Sequence, residues 1–251
     1  MIVVFGQEIP LYGVCFFVGI IISVLLAHIL IKREKMETFD FVCCAIYVLI
    51  GSIIGAKILF ILVSIETIIK YQLSFIEIIK GGFVFYGGLF GGYLGAVIYG
   101  KQFKIDIRKF INIFAIVLPL GHAFGRIGCF FSGCCYGIEY HGIFSHVYQQ
   151  SHNALTPLGV PLFPVQLLES ALLFILFGVL ITIYTKNTHK NKIVNVYLIF
   201  YSLIRFILEF LRGDSVRGAF LGLATSQWIS LLIIIFLIAK AIYTKRKKKK
   251  D

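Results

Sequence analysis

Seven apolar stretches, at about 11–31, 41–64, 83–100, 110–126, 164–185, 193–212 and 226–244, dictate most of what this chain can become. An α-helix needs about 20 apolar residues to cross the roughly 30 Å hydrocarbon core of a bilayer. Inside that core each backbone amide must be satisfied within its own segment, so stretches of this length and character must be helical. The expected fold is all-α, a polytopic membrane protein with seven transmembrane helices. With 59% hydrophobic and 14% charged residues, and a mean hydropathy of +0.93, too little polar surface remains for a soluble domain. No internal repeat or low-complexity linker divides the sequence, so residues 1–251 read as a single integral-membrane domain. A cleavable signal peptide is not expected, because the N-terminus lacks a basic region and no small-residue cleavage site follows the first apolar run.

The net charge of +12 would suit a nucleic-acid partner, but its distribution argues for a membrane. Alternate connecting segments carry Lys32, Arg33 and Lys35, then Lys101, Lys104, Arg108 and Lys109, then Lys186, Lys190 and Lys192. A basic tail, 245–251, follows the last stretch. The opposite side has only Lys70, Lys80 and Arg217. Basic residues collect on the cytoplasmic side, which places the N-terminus outside and the C-terminus in the cytoplasm. The tail then reads as an anchor on anionic lipid, and no nucleic-acid partner is expected.

Two outer segments stand apart. The extracytoplasmic loop 138–163 lacks Lys and Arg, carries His141, His146 and His152, and ends in Pro157 and Pro161. It reads as a lid or docking surface, or equally as a solvated connector. Segment 65–82 intersperses Ile65, Ile68, Ile69, Leu73, Phe75, Ile76, Ile78 and Ile79 with Glu66, Lys70, Glu77 and Lys80, a pattern suited to the headgroup plane.

Depth can be assigned to the unusual polar residues once the topology is set. Arg126 falls at the outer end of the fourth stretch, inside the run from Gly121 to Gly137 that also holds His122, Cys129, Cys134 and Cys135. An arginine within a span is costly unless it faces a wet cavity or an anion, so it marks a site by default. Five glycines and three cysteines there predict irregular backbone rather than continued helix. Tyr12, Lys57, Tyr86, Gln166 and Glu169 fall in the outer halves of their spans. Tyr201, Arg205, Glu209 and Arg212 recur at helical spacing and are expected to form one stripe. Arg205–Glu209 and Arg212–Asp214 could be structural pairs, yet buried ion pairs stabilise poorly compared with apolar packing. Converging guanidinium groups in the outer leaflet suit a lipid phosphate better. Gly87, Gly91 and Gly95, with Gly88 and Gly92, predict close helix packing, and glycines 81, 82, 87 and 88 around Tyr86 could also admit a headgroup.

Cys15, Cys43 and Cys44 sit in apolar spans as small hydrophobes. Cys129, Cys134 and Cys135 lack paired metal-ligand spacing, so neither a metal nor any other cofactor is expected.

Taken together these motifs resemble the prolipoprotein diacylglyceryl transferase family over nearly the whole chain. The likeness rests on Gly125-Arg126-Ile127-Gly128 with Phe130, Gly133 and Gly137; on Pro164-Val165-Gln166-Leu167-Leu168-Glu169; on Tyr201, Arg205, Glu209 and Arg212; and on Tyr12-Gly13. Lys57 stands where the family usually has arginine. The resemblance implies a multi-pass enzyme of the bacterial plasma membrane that moves a diacylglyceryl group from phosphatidylglycerol to a cysteine thiol of a preprolipoprotein. Glycerol phosphate would leave, and surrounding membrane lipids would be its other partners. Arg126 and Arg205 would clamp the phosphate as catalytic residues, with Tyr12, Lys57, Gly128, Cys129, Gln166, Glu169, Tyr201, Glu209 and Arg212 binding substrate. The chain departs from the pattern at Tyr86, where the family has a histidine proposed as base, and at Cys129, where it has asparagine. Phe163 and Leu168 likewise replace a histidine and a tyrosine. A tyrosine of pKa about 10 is a poor base, so either Tyr86 is activated by Arg126 or Arg205, or His122 takes the role. Two alternatives stand beside this reading: a divergent lipid transferase with a cysteine nucleophile, and a non-catalytic phospholipid-binding protein or transporter.

Overall fold

The computed structural model describes residues 2–4, 7–72, 74–151, 153, 155–186, 192–214 and 219–247. His152, Arg217, Leu73, Lys190 and the last lysines of the tail lie outside these residues. Helices dominate: α1 (Leu11–Arg33), α2 (Thr38–Val63), α3 (Ile65–Lys70), α4 (Phe75–Lys80), α5 (Phe85–Phe103), α6 (Arg108–Ser132), α7 (Val165–Thr185), α8 (Ile193–Leu208) and α9 (Thr225–Lys247). Short antiparallel pairs join β1 (Ile2–Val4) to β2 (Gln7–Ile9) and β3 (His146–Val147) to β4 (Pro161–Leu162). The all-α class is thus found. Six helices, α1, α2, α6, α7, α8 with the turn that follows it, and α9, are long and apolar enough to cross a membrane. The remaining expected stretch, 83–100, is α5, a 19-residue helix whose many glycines dilute its apolar character, and it is not among those six.

The chain forms two compact units, and α1 and α6 each contribute to both. In the unit built from 28–113, α2 and α5 pack through glycines. A Cβ on Gly51, Gly55, Gly87, Gly91 or Gly95 would run into the backbone of the facing helix. That is the close packing expected of the 87–95 series, and it leaves Gly87 facing α2. Segment 65–82 becomes two short, exposed helices, α3 and α4. Ser74 and Glu77 start α4 with a reciprocal capping box.

The unit built from 1–27, 114–217 and 221–251 is arranged around α6. Gly19 and Gly121 let α1 approach it, and Ser23 Oγ donates to the Val117 carbonyl at 3.4 Å. On another face, Ser170 Oγ of α7 donates to the Ala123 carbonyl at 3.0 Å, and Phe124 meets Phe174 edge-to-face. Leu173, Leu176, Leu180, Tyr197 and Tyr201 are buried, whereas Phe17, Ile175, Phe210, Leu232 and Phe236 are exposed. Large apolar side chains outside and charged ones inside are what a lipid solvent selects.

Two local expectations are corrected. The run from Gly121 does not break the helix: α6 continues to Ser132, through Pro119, and irregular backbone starts only at Gly133. Within the helix, Gly121 and Gly128 give space rather than unusual dihedrals, and a Cβ on Gly128 would press on Tyr12 at 3.1 Å. Nor do Tyr201, Arg205, Glu209 and Arg212 form one helical stripe. The α8 helix ends at Leu208 and tightens into a 3₁₀ turn over Glu209–Leu211, and Arg212 is extended. Arg212 is then held by a bridge to Gly137, with Gly213 N donating to the Tyr136 carbonyl and Ile138 N to the Leu211 carbonyl.

Candidate functional site

A helix C-terminus leaves carbonyls without intrahelical partners. At the end of α6 the long loop satisfies them. Tyr148 donates to the Phe130 carbonyl at 3.0 Å, Ser151 to Ser132 at 2.9 Å, Thr156 to Gly133 at 2.9 Å and Gln166 Nε2 to Cys134 at 2.8 Å. Tyr136 returns the contact by donating to the Leu155 carbonyl at 2.8 Å. Segment 138–163 is therefore tied to the turn that carries the cysteines. Tyr148 pays for its burial with a phenol pKa pushed up to about 12.

One turn below lies a chain of buried charges. Arg126 Nη2 sits 3.0 Å from Glu169 Oε1, and Arg205 Nη1 approaches the other oxygen of the same carboxylate at 3.9 Å. Arg205 Nη2 pairs with Glu209 at 2.6 Å, and Arg212 grips Asp214 through Nε at 2.8 Å and Nη2 at 2.7 Å. Glu169 is 1% exposed and Arg205 4%, so neither charge is relieved by water. Both suspected structural pairs exist, and Glu169 of α7, between Arg126 and Arg205, joins α6 to α8. Three arginines and three carboxylates balance formally, which makes the cluster a set of preorganised donors rather than a bare cationic field. Among the described residues, Arg205 Nη1 and Arg212 Nη1 are buried without a hydrogen-bond acceptor.

His122, one turn before Arg126 on α6, accepts from Arg126 Nε through its Nε2 at 3.2 Å. An imidazole that accepts at Nε2 is neutral and carries its proton on Nδ1. Its ring lies 5.8 Å from that of Tyr201, which stacks on Tyr197 at 5.7 Å. Tyr12 is half-exposed over Gly128 and stacks on Phe16. Arg126, His122, Gln166, Glu169, Tyr201, Arg205, Glu209, Arg212, Tyr12, Gly128 and Cys129 thus share one unit.

Lys57 and Tyr86 belong to the other unit. Lys57 Nζ donates to the carbonyls of Ile78, Ile79, Gly81 and Gly82 at 2.9–3.2 Å and lies 4.2 Å over the Phe83 ring. It closes the end of α4. Tyr86 is buried at the start of α5.

The sulfurs of Cys129, Cys134 and Cys135 all lie within 4.8 Å of one another, and each residue is partly buried. None of the six cysteines forms a disulfide. Left-handed backbone at Gly133 (φ 74°) and Cys135 (φ 57°) turns the chain back on the helix end. Sulfur contacts from Cys129 and Cys134, with the charges of Arg126 and Arg212, hold the Cys135 thiol below its ordinary range. Cys134, which shares those contacts, is pushed up. Sequence reasoning also passed over Tyr148, Ser170, Tyr197 and Ser202. Their signal was present only as polar groups at the interior positions of apolar helices and at loop positions that meet a helix end.

An apolar exterior around an interior arginine–carboxylate network defines a helical membrane protein with a polar intramembrane site. Residues 1–243 match the family described as prolipoprotein diacylglyceryl transferase. The chain is 34% identical to phosphatidylglycerol–prolipoprotein diacylglyceryl transferase 2 of Clostridium perfringens, over 99% of this chain and 96% of that protein. It is 36% identical to the Clostridium tetani phosphatidylglycerol–prolipoprotein diacylglyceryl transferase over 92% and 91% of the two chains, and 30% identical to that of Finegoldia magna over 99% and 96%. The chain belongs to the prolipoprotein diacylglyceryl transferase family.

Proposed function

We propose that this protein transfers the diacylglyceryl group of phosphatidylglycerol to the cysteine thiol of a prolipoprotein in the bacterial plasma membrane. The observation that carries this reading is the buried network of Arg126, Glu169, Arg205 and Glu209, with spare donors on Arg205 and Arg212. The carboxylates hold the guanidinium forks in place, and the Nη1 groups of Arg205 and Arg212, which have no hydrogen-bond acceptor among the described residues, are assigned to the phosphate oxygens. Charge builds on that phosphate as the glyceryl C–O bond breaks, so prepaid donors lower the barrier. Arg126 and Arg205 act as the clamp, with Arg212 beside them. Tyr12, Gly128, Tyr201 and Gln166 shape the lipid headgroup site. Glu169 and Glu209 orient the arginines, and His122 is a positioning residue that fixes Arg126. Tyr86 and Lys57 are assigned to the substrate by their places in the family pattern.

All seven stretches, α5 included, cross the bilayer in this reading, with the N-terminus outside. The alternation of basic connecting segments supports that topology, and the family match runs through residues of both compact units. A covalent route through Cys129, Cys134 or Cys135 is chemically unproductive. It would bind the diacylglyceryl group as a thioether, whose C–S bond a second thiol would have to break at an unactivated carbon. A lipid-binding protein without activity would need no thiol chemistry at all.

The test is complementation in cells depleted of their own transferase, with a reporter lipoprotein read by mass. The reporter gains the diacylglyceryl mass with this chain and loses it with Arg205→Ala. A membrane-resident protein that leaves the reporter unmodified overturns the reading.

A further inference from the structure

Thiol activation is the step the arginine network leaves unexplained. The Nε2 lone pair of His122 is committed to Arg126, and an ordinary phenol is protonated at neutral pH. An acceptor thiol of pKa about 8.5 is only about 3% thiolate at pH 7.

We infer that Cys129, Cys134 and Cys135 form a three-thiolate site for a zinc-class divalent cation, whose open fourth position takes the acceptor cysteine as a thiolate. The inference rests on the proposed transferase reading and supplies its nucleophile. Three features of the fold support it. First, the three sulfurs already lie within 4.8 Å of one another. A tetrahedral cation with metal–sulfur bonds of about 2.3 Å holds its sulfurs about 3.8 Å apart, so side-chain rotation of about 1 Å closes the site. Second, the backbone is committed to this convergence. Cys135 carries a left-handed φ of 57°, which a side chain adopts only when its surroundings impose it. Gln166 holds the Cys134 carbonyl at 2.8 Å, and Cys134 Sγ reaches the Cys129 carbonyl at 3.7 Å. Third, the group has three ligands, and a three-ligand cation keeps a position for substrate, whereas a structural one is closed by a fourth.

The charge and placement fit the chemistry. Three thiolates on a divalent cation carry one net negative charge. Cys129 follows Arg126 by three residues of helix, about 4.5 Å of rise. A thiolate on the cation therefore stands within a few ångströms of the phosphate clamp. A coordinated thiol is deprotonated outright, and its proton passes to water. The sulfur then forms the C–S bond to the glyceryl carbon as the C–O bond to phosphate breaks. Both electrons of that bond leave with glycerol phosphate. The neutral thioether product is a weak ligand and departs, which returns the three-cysteine site.

The spacing of these cysteines in sequence predicts no metal, because paired ligand motifs are absent. The left-handed turn makes the ligand set without such pairing.

The experiment uses the full-length protein in phosphatidylglycerol-containing nanodiscs. Zinc content is measured by mass spectrometry, and cobalt is exchanged in as an optical probe. About one metal per chain is expected, with a thiolate-to-cobalt charge-transfer band that Cys129→Ser, Cys134→Ser and Cys135→Ser each weaken. Chelated wild-type protein, which needs no mutation, should transfer to a cysteine peptide up to about 30-fold more slowly at pH 7. The deficit should close above pH about 8.5, where the free peptide ionises itself, and added zinc should restore the rate. Absence of the cobalt band, a band unchanged in the triple serine variant, or a chelated enzyme of undiminished rate at pH 7 each overturns the inference while leaving the transferase reading in place. A wild-type protein that binds the metal and transfers nothing overturns the transferase reading, and the thiol-activation role with it.

Discussion

Removing Glu169 should damage this protein more than removing either of its arginine partners' other contacts, and the structure sets the scale. The carboxylate is 1% exposed and lies 3.0 Å from Arg126 and 3.9 Å from Arg205. At an effective dielectric of about 20, unit charges at such separations attract by about 4–6 kcal/mol. Desolvation of the charges offsets several kcal/mol of this. Glu169→Leu takes away the carboxylate that pairs with Arg126 and leaves that arginine charged in a buried position, and the expected cost is about 3–5 kcal/mol. Arg205 retains Glu209 at 2.6 Å. The double variant Arg126→Met/Glu169→Leu removes both members of the closer pair and should recover most of that stability, because apolar side chains replace buried ions at little cost. It should transfer no lipid. Stability is measured by reversible unfolding in mixed micelles, and activity by the mass of the reporter lipoprotein. A Glu169→Leu cost below about 1 kcal/mol, or a double variant as unstable as the sum of the singles, would refute the claim that this carboxylate is held by Arg126.

Four further outcomes are expected. Arg205→Lys and Arg212→Lys keep the charge but lose the planar fork, and each should lower the single-turnover rate by about 100-fold, the usual loss for one transition-state donor. Gly91→Leu places a side chain against the Gly51 backbone and should cost at least about 1–3 kcal/mol through overpacking, seen as a lowered midpoint in thermal unfolding. Gln166→Leu removes the donor to the Cys134 carbonyl; a loss of about 1–3 kcal/mol is expected, together with faster alkylation of Cys134 by a maleimide. The Glu77 carboxyl accepts from Ser74 Oγ at 2.6 Å and Ser74 N at 2.7 Å, which holds its pKa below the ordinary 4.5. The cap contribution is therefore present above about pH 4.5 and is lost as pH falls through the lowered value. Ser74→Ala should move the Glu77 titration, followed by NMR, back toward 4.5.

Much of the site was legible because it is local. Arg205 and Glu209 are one helical turn apart and Arg212 and Asp214 two residues apart, so spacing alone suggests both pairs. The expected topology also put Arg126, Glu169 and Arg205 into one cluster, since it sets all three in the outer halves of their spans. What spacing missed was the break at Leu208. The bridge from Arg212 to Gly137 depends on residues 75 positions apart, and no helical period reports such a contact. The glycines of α6 misled for a related reason. Glycine marks either an unusual dihedral or a close approach, and the partners that decide between them, Ser23 and Tyr12, lie about a hundred residues earlier in the chain.

By itself, the sequence determined that this is a helical membrane protein, roughly where its spans lie, and that arginines inside them mark a polar site. Those conclusions follow from the solvent: hydrocarbon forbids unsatisfied backbone and unpaired charge, so length and polarity along the chain suffice. The tertiary structure alone decided that Glu169 links Arg126 to Arg205, that loop 138–163 caps α6, and that three cysteines without metal-ligand spacing converge at its end. These depend on which helix faces meet and on a left-handed turn at Cys135, and neither is written in the order of the residues.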